Sequence, residues 1–554
     1  MKKIYLLLFL IFISSCGVRK SIKHLPETKN YNQEIPKPIK HSSSVFTYND
    51  NFLFKNQENN LWEMYVEGDA LQRGLIMGSL GDSLIKKQEH VFFDKIREIV
   101  PSKFKQRMLR QFLKVYNRKL YLNVPEEFQA EIYGLSQYAA DSLEYIAPKY
   151  LRTLYLHGAH DIGHALSDLS LVGCTSFAVW GENSADSSLL IGRNLDFYAG
   201  DEFAKDKVVY FIKPESGHPF MSVSWPGMIG VVSGMNLEGL SVTINAGKSD
   251  IPWVAKTPIS ILAREILQYA KNIEEAIIIA KKREVFVSES IMIGSAFDKK
   301  AIIIEISPDN FGVYEVENSS KIVCANHFQS KTYSDNKNNT KQILESHSKY
   351  RFDRMEELLD ENKKITPDEA ASILRNTSGL KNEPLGYGNE KSLNQLLSHH
   401  AVIFKPEQRL VWISANPYQL GEFVCYDLNK VFGKKVEQRK LVTMAESKMN
   451  IAKDPFLETE AYLNYEKFKL ESKVVHKAIS EKKILSDVQI DDFIALNPDF
   501  WEVYFKAGKY YQQQKNYAKA IANFEKALTK EITTLPDEKE VRKQLNKVKR
   551  KYDF

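Results

Sequence analysis

LVGCTSFAVW (171–180) and LLIGRNLDF (189–197) are two alternating apolar runs separated by the turn-forming stretch ENSADSS. A period of two on either side of Asn, Asp and Ser is the signature of a β-hairpin. Outward from it the same texture recurs in KVVYFIK, MSVSW, MIGVVSGMNLEGLSVTI, SIMIGSAF, AIIIEIS, FGVYEVE, KIVCANHF, HHAVIFKPEQ and RLVWISA. So many β-branched, alternating segments between polar turns predict large antiparallel sheets. Helical periodicity near 258–283 and 346–360 adds covering helices, which makes the body α+β. The hairpin also sets Cys174 directly after Gly173, at the head of its first strand.

The chain has 554 residues, 43% of them hydrophobic, enough for two or more domains. Its 76 Lys and Arg against 70 Asp and Glu leave a formal charge of +6, too even to suggest nucleic acid as a partner. At the start, Lys2 and Lys3 precede an apolar run from Ile4 to Ile13 and then Ser-Ser-Cys ending at Cys16. The run is too short to span a bilayer and reads as a secretory signal. Its end resembles a bacterial lipobox, so residues 1–16 are expected to end at a lipidated Cys16 that holds the protein in the bacterial cell envelope, by membrane anchor. An uncleaved anchor is the plainer alternative.

Polar residues 17–60 read as a tether, and 61–173 as a mainly helical segment with amphipathic stretches at 81–100 and 126–140. Strand texture fills 174–450, and 455–554 is helical. Within that last part Tyr504, Ala507, Gly508, Tyr511, Ala520, Phe524 and Ala527 occupy positions that resemble a tetratricopeptide repeat, a surface on which a protein partner would dock. Three cysteines follow Cys16, and an odd number builds no disulfide framework. Cys324 and Cys425 sit in apolar strands and read as packing residues.

If the bond before Cys174 is cut, the new chain begins with a thiol and a free α-amine on one residue, and the amine can serve as base for the thiol. A glycine before the nucleophile leaves room for the thiol to attack its carbonyl. The order Gly-Cys-Thr-Ser, then Gly-Arg-Asn-Leu-Asp-Phe, then WPGMIGVVSGMNLEGLSVTINAG (225–247), IVCANHF and SKYRFDRM resembles the N-terminal-nucleophile hydrolases of the choloylglycine hydrolase and penicillin acyltransferase group. The resemblance implies an αββα fold, two stacked antiparallel sheets between helical layers. It implies Cys174 as nucleophile, freed by self-cleavage after Gly173. Arg193 and Asp196 match the pair beside the nucleophile, Asn245 an oxyanion donor, Asn326 a second active-site asparagine, and Arg351 an arginine that follows it.

By the same resemblance the substrate is an N-acylated small molecule whose amide C–N bond is cleaved, the upstream piece stays bound as a small subunit, and no metal or cofactor is needed. The Arg193–Asp196 pair is expected to favour thiolate at Cys174. Acyl transfer to an amine is the alternative outcome, and a non-catalytic envelope protein presenting its helical repeat is another. Each residue also has a structural reading: Cys174 as a buried strand residue, Arg193 and Asp196 as an ion pair, the asparagines as strand ends. Arg354, one helical turn from Arg351, competes for the same role. His157, His160 and His164 have the spacing of a zinc site, but Asp161 does not supply the general-base glutamate of the zinc-protease pattern, and Gly158 and Gly163 weaken the helix.

Overall fold

A computed structural model describes residues 17–158, 161, 173–248, 252, 254–433 and 442–552. Cys16, His160 and His164 lie outside the described residues.

Strand alternation sorts side chains into layers. In Glu289–Ser295, Ile291 and Ile293 pack with the helices while Met292 points the other way. In Lys300–Ile306, Ile302 and Ile304 join the first group and Ile303 the second. In His400–Lys405, Val402 and Phe404 meet Met292 and Ile303, whereas Ala401 and Ile403 back onto another helical layer. The result is two stacked sheets with helices outside each, the expected αββα order.

The large sheet runs Ile39–Lys40, Val45–Tyr48, Asn51–Lys55, Trp62–Gly68, Val208–Pro214, Phe220–Ser224, Ser233–Asn236, Leu240–Ala246, Glu289–Ser295, Lys300–Ile306, Phe311–Tyr314. The small sheet runs Lys321–Cys324, Thr175–Val179, Leu190–Leu195, His400–Lys405, Leu410–Ser414, Phe423–Asp427.

One expectation is corrected. Residues 17–60 are not a plain tether, since three of their segments pair into the large sheet. The segment 61–173 is mainly helical where described, but it opens with a strand. Trp62–Gly68 is a strand whose buried Met64 and Val66 face the core, and it pairs in parallel with Val208–Pro214, the one parallel pairing in a sheet otherwise antiparallel among the described residues. A parallel neighbour is reached only by a long crossover, and here it contains the helices between 70 and 157 and the small-sheet hairpin of Thr175–Val179 and Leu190–Leu195.

The C-terminal helices, from Glu460–Glu481 to Leu535–Tyr552, have their own apolar core of Tyr465, Phe468, Phe493, Phe500, Ala507, Ala520 and Phe524, which also takes in Leu396 and Leu420 of the two-sheet body. Gly386 has φ +77, and a Cβ there would lie 2.4 Å from the Phe500 backbone nitrogen, so this contact requires glycine. Asn497 donates to the Tyr387 carbonyl (2.8 Å) and accepts from its N–H (3.0 Å). Asn389 Nδ2 donates to the Glu531 carbonyl at 3.0 Å. The stretch 383–399, which precedes a central strand of the small sheet and has no regular structure of its own, is thus held from outside by the C-terminal helices.

Candidate active site

In the hairpin, Thr175 stands opposite Asn194 and Ser176 opposite Arg193. The ladder continues to Gly173, whose N–H donates to the Asp196 carbonyl at 3.2 Å. Cross-strand neighbours share a face, so Ser176 and Arg193 point together between the sheets. There Arg193 Nη1 donates to Ser233 Oγ at 2.7 Å, and Nη2 lies 3.7 Å from Cys174 Sγ while also reaching the Ile244 carbonyl. Asn194 points the opposite way and donates to the carbonyls of Leu374 and Leu393, both at 2.9 Å. The Arg-Asn dipeptide therefore does two jobs: arginine serves the cysteine and asparagine anchors the outer layer.

Asp196 is fully buried and accepts a hydrogen bond from Ser398 Oγ through Oδ1. Its Oδ2 has no hydrogen-bond partner among the described residues. Burial pushes its carboxyl up to about 6, against the opposing pull of Ser398, Arg351 and Arg193. The Cys174 thiol is pushed up to about 11, again by burial, with Arg193 and a backbone hydrogen bond from Asp196 acting the other way. Thiolate at neutral pH is therefore not what the uncut chain holds: desolvation of a completely buried sulfur outweighs a single guanidinium.

Arg351, on the helix Ser348–Glu361, is buried and donates to the Cys174 carbonyl through Nη1 (2.8 Å) and to Asn326 Oδ1 through Nη2 (2.7 Å). Burial lowers it to about 10, so it remains a cation at neutral pH. Arg354 turns elsewhere, to Glu357, Asn376 and Asn382. Asn326 also donates through Nδ2 to the Ala246 carbonyl at 2.9 Å. Asn245 sits in a cross-sheet bridge, accepting from Ser176 Oγ at 2.7 Å and donating one amide hydrogen to the Cys324 carbonyl at 3.2 Å. All six expected side chains thus belong to one buried network around Cys174.

Sequence reading missed others. Gln395 Nε2 donates to the Gly173 carbonyl oxygen at 2.9 Å. A Cβ on residue 173 would come within 2.4 Å of that nitrogen, so the contact exists because residue 173 is glycine. His400 Nε2 meets Ser233 Oγ at 3.0 Å, and the His399 and His400 Nδ1 atoms are 2.8 Å apart, which extends the Arg193 network into the small sheet. The histidine doublet was visible in the sequence, whereas nothing in the local pattern marked Gln395 or Ser398.

His157 uses both ring nitrogens, Nδ1 with the Thr153 carbonyl (2.8 Å) and Nε2 accepting from the Ile229 N–H (3.0 Å). Burial lowers it to about 4, so it is neutral and committed to packing. Asp161 accepts from the Ile259 N–H at 2.7 Å and is raised to about 8 by burial. Among the described residues no group of His, Cys, Asp and Glu has a metal-holding arrangement. Beside Asp196, Phe197 and Trp225 stack at 5.4 Å and, with Phe92, Phe203 and Met228, line an apolar cleft.

Residues 181–417 match the acyl-coenzyme A:6-aminopenicillanic acid acyl-transferase family. The acyl-transferase match begins just after Cys174 and covers Arg193, Asp196, Asn245, Asn326, Arg351 and Gln395. An uncharacterized protein of Archaeoglobus fulgidus is 24% identical over 46% of this chain and 45% of its own length, and protein dcd1B of Dictyostelium discoideum is 23% identical over 46% and 52%. The chain thus spans about half the length of these curated relatives. Among solved structures, the Caenorhabditis elegans ortholog of N-acylethanolamine-hydrolyzing acid amidase aligns at 17% identity over 42% of this chain and 93% of its own, with a TM-score of 0.31. A variant of the conjugated bile acid hydrolase from Clostridium perfringens aligns at 16% identity over 48% and 94%, with a TM-score of 0.32.

Proposed function

We propose that this protein is an N-terminal-nucleophile amidohydrolase that matures by cutting itself between Gly173 and Cys174 and then cleaves the amide bond of an N-acylated small molecule. The family match supports an enzyme of the amide-hydrolase or acyl-transferase type. The observation that carries the finer reading is Asp196 Oδ2, a buried carboxylate oxygen with no hydrogen-bond partner among the described residues, in the same cluster as the Cys174 thiol. A new α-ammonium at Cys174 would give that oxygen its donor, and would place a positive charge beside the sulfur.

In turnover the thiol attacks the substrate carbonyl, the α-amine takes its proton and passes it to the amide nitrogen as the C–N bond breaks, and the free amine leaves an acyl-thioenzyme behind. The second amide hydrogen of Asn245 is assigned to the oxyanion. Water then releases the acid. The family's description favours a second reading in which an amine acceptor takes the acyl group instead; product analysis with and without added amine separates the two.

The strands 45–48, 51–55 and 62–68 lie in the large sheet beside strand 208–214. The upstream piece is therefore expected to stay bound after the cut, held by backbone hydrogen bonds and buried side chains. Purified protein should run as one species in native chromatography and as two chains under denaturing conditions, the larger beginning CTSFAVW. Cys174→Ala should stay one chain. A wild-type chain that remains folded and uncut would overturn the self-processing reading. The lipid anchor expected at Cys16 would keep this assembly at a membrane, and Cys16→Ser should then release it to the soluble fraction.

A further inference from the structure

Maturation and turnover make different demands on the site. In turnover the acyl carbonyl belongs to an incoming substrate. In maturation it belongs to Gly173, already fixed by the fold, and its oxygen must be stabilised where it lies. Asn245, the donor expected for the oxyanion, gives one amide hydrogen to the Cys324 carbonyl and has its oxygen tied to Ser176. Arg351 donates to the carbonyl of Cys174, one residue past the bond to be broken. Among the described residues, the side chain that does reach the Gly173 carbonyl oxygen is Gln395, at 2.9 Å and in a buried setting.

We infer that Gln395 is the oxyanion donor of self-cleavage, a role separate from the oxyanion donor of turnover. This rests on the self-processing reading above. The thiol sulfur of Cys174 bonds to the Gly173 carbonyl carbon, whose oxygen becomes an oxyanion held by Gln395 Nε2–H. The C–N bond then breaks, the nitrogen takes up the thiol proton, and a thioester joins Gly173 to Cys174 Sγ. Water adds to the thioester, giving the Gly173 carboxylate and restoring the thiol. One peptide bond and one water become one acid and one amine, with no other reactant.

Three features fit this role. A preorganised donor is worth most where water is excluded, and Gln395 is 2% exposed. The missing side chain of Gly173 lets the amide approach, because any Cβ would collide with it. The backbone next to Gln395 is also held in an unusual state: Leu396 has φ +53, a left-handed conformation costly for leucine, with its N–H bonded to Asn394 Oδ1 at 3.0 Å and its side chain buried in the C-terminal helical core. The amide is therefore aimed by structure on both sides of it.

The test follows processing of freshly synthesised full-length precursor by denaturing electrophoresis. Gln395→Met removes the donor at similar length and should slow the cut by about 10²–10³, as losses of oxyanion donors do, while melting shows a folded protein. Added hydroxylamine, which intercepts a thioester, should leave the Gln395→Met rate unchanged, because thioester formation has become the slow step. Gln395→Glu supplies the readout a purely structural role would not move. Its neutral acid can donate and its carboxylate cannot, so its rate relative to wild type should improve as pH falls from 8 to 5. A folded Gln395→Met that cuts within a few-fold of wild type overturns the inference, as does a Gln395→Glu profile parallel to wild type. An uncut wild-type chain overturns the processing reading itself, a different result from either variant's behaviour.

Discussion

Ser176 Oγ donates to Asn245 Oδ1 across the space between the two sheets, at 2.7 Å. The Cys324 carbonyl at the other end of the amide can only accept, so Asn245 is held with its NH2 group on that side and its oxygen toward Ser176.

Replacing Asn245 with Asp keeps the shape and removes the N–H donor. Amine release from N-acyl substrates is expected to fall by about 10²–10³. Ser176→Ala leaves the donor in place but frees its orientation, with an expected loss of about fivefold, equivalent to ~1 kcal/mol for one hydrogen bond. Steady-state rates on a panel of N-acylated amines check both. Full turnover in Asn245→Asp would remove Asn245 from the chemistry.

On the self-processing reading, the pH dependence of the cut follows from the buried thiol. In the uncut chain burial holds Cys174 up to about 11. The attacking form is the deprotonated one, so at every pH below that value the reactive fraction climbs about tenfold per unit as pH rises. Precursor from cell-free synthesis, chased at pH 6 to 9, should process faster at each step upward. A flat profile would mean that thiol ionisation does not limit the cut.

Gly386 is the hinge of the contact between the catalytic body and the C-terminal helices. Alanine there must adopt φ +77 and place its Cβ 2.4 Å from the Phe500 backbone nitrogen. A destabilisation of more than about 1 kcal/mol is expected, read by thermal melting. Because the same loop carries Gln395, processing should slow in Gly386→Ala as well. Unchanged processing in a measurably destabilised variant would disconnect the helices from the site.

Much of this architecture was legible because the alternating strands sort themselves by parity, as Ile291, Met292 and Ile293 do. Arg193 and Asp196 rest on the resemblance carried by Gly-Arg-Asn-Leu-Asp-Phe, and the hairpin register sets Arg193 opposite Ser176 and the Asp196 carbonyl against the Gly173 N–H, on either side of Cys174. The strands before residue 60 were missed although VFTYNDNFLF alternates around Asn49, whose φ of 48 makes the turn. Their polar surroundings suggested a tether, and the partner of the adjoining Trp62–Gly68, the strand Val208–Pro214, lies far along the chain. Arg351 and Arg354 look alike on one helix, and only tertiary packing tells which reaches Cys174. Gln395 and Ser398 belong to an irregular loop, where no periodicity reports direction.

The grip of the C-terminal helices on residues 383–399 has a consequence for biosynthesis. A chain is made from its N-terminus, so Gly173 and Cys174 are complete long before Asn497, Phe500 and Glu531 exist to hold the loop that carries Gln395. On the self-processing reading, the proposed scissile bond is therefore made early and its proposed donor is secured last. Strand breakage would wait for the full-length product, and a message truncated before those helices would yield an inert, unbroken polypeptide rather than a half-built enzyme with an exposed thiol.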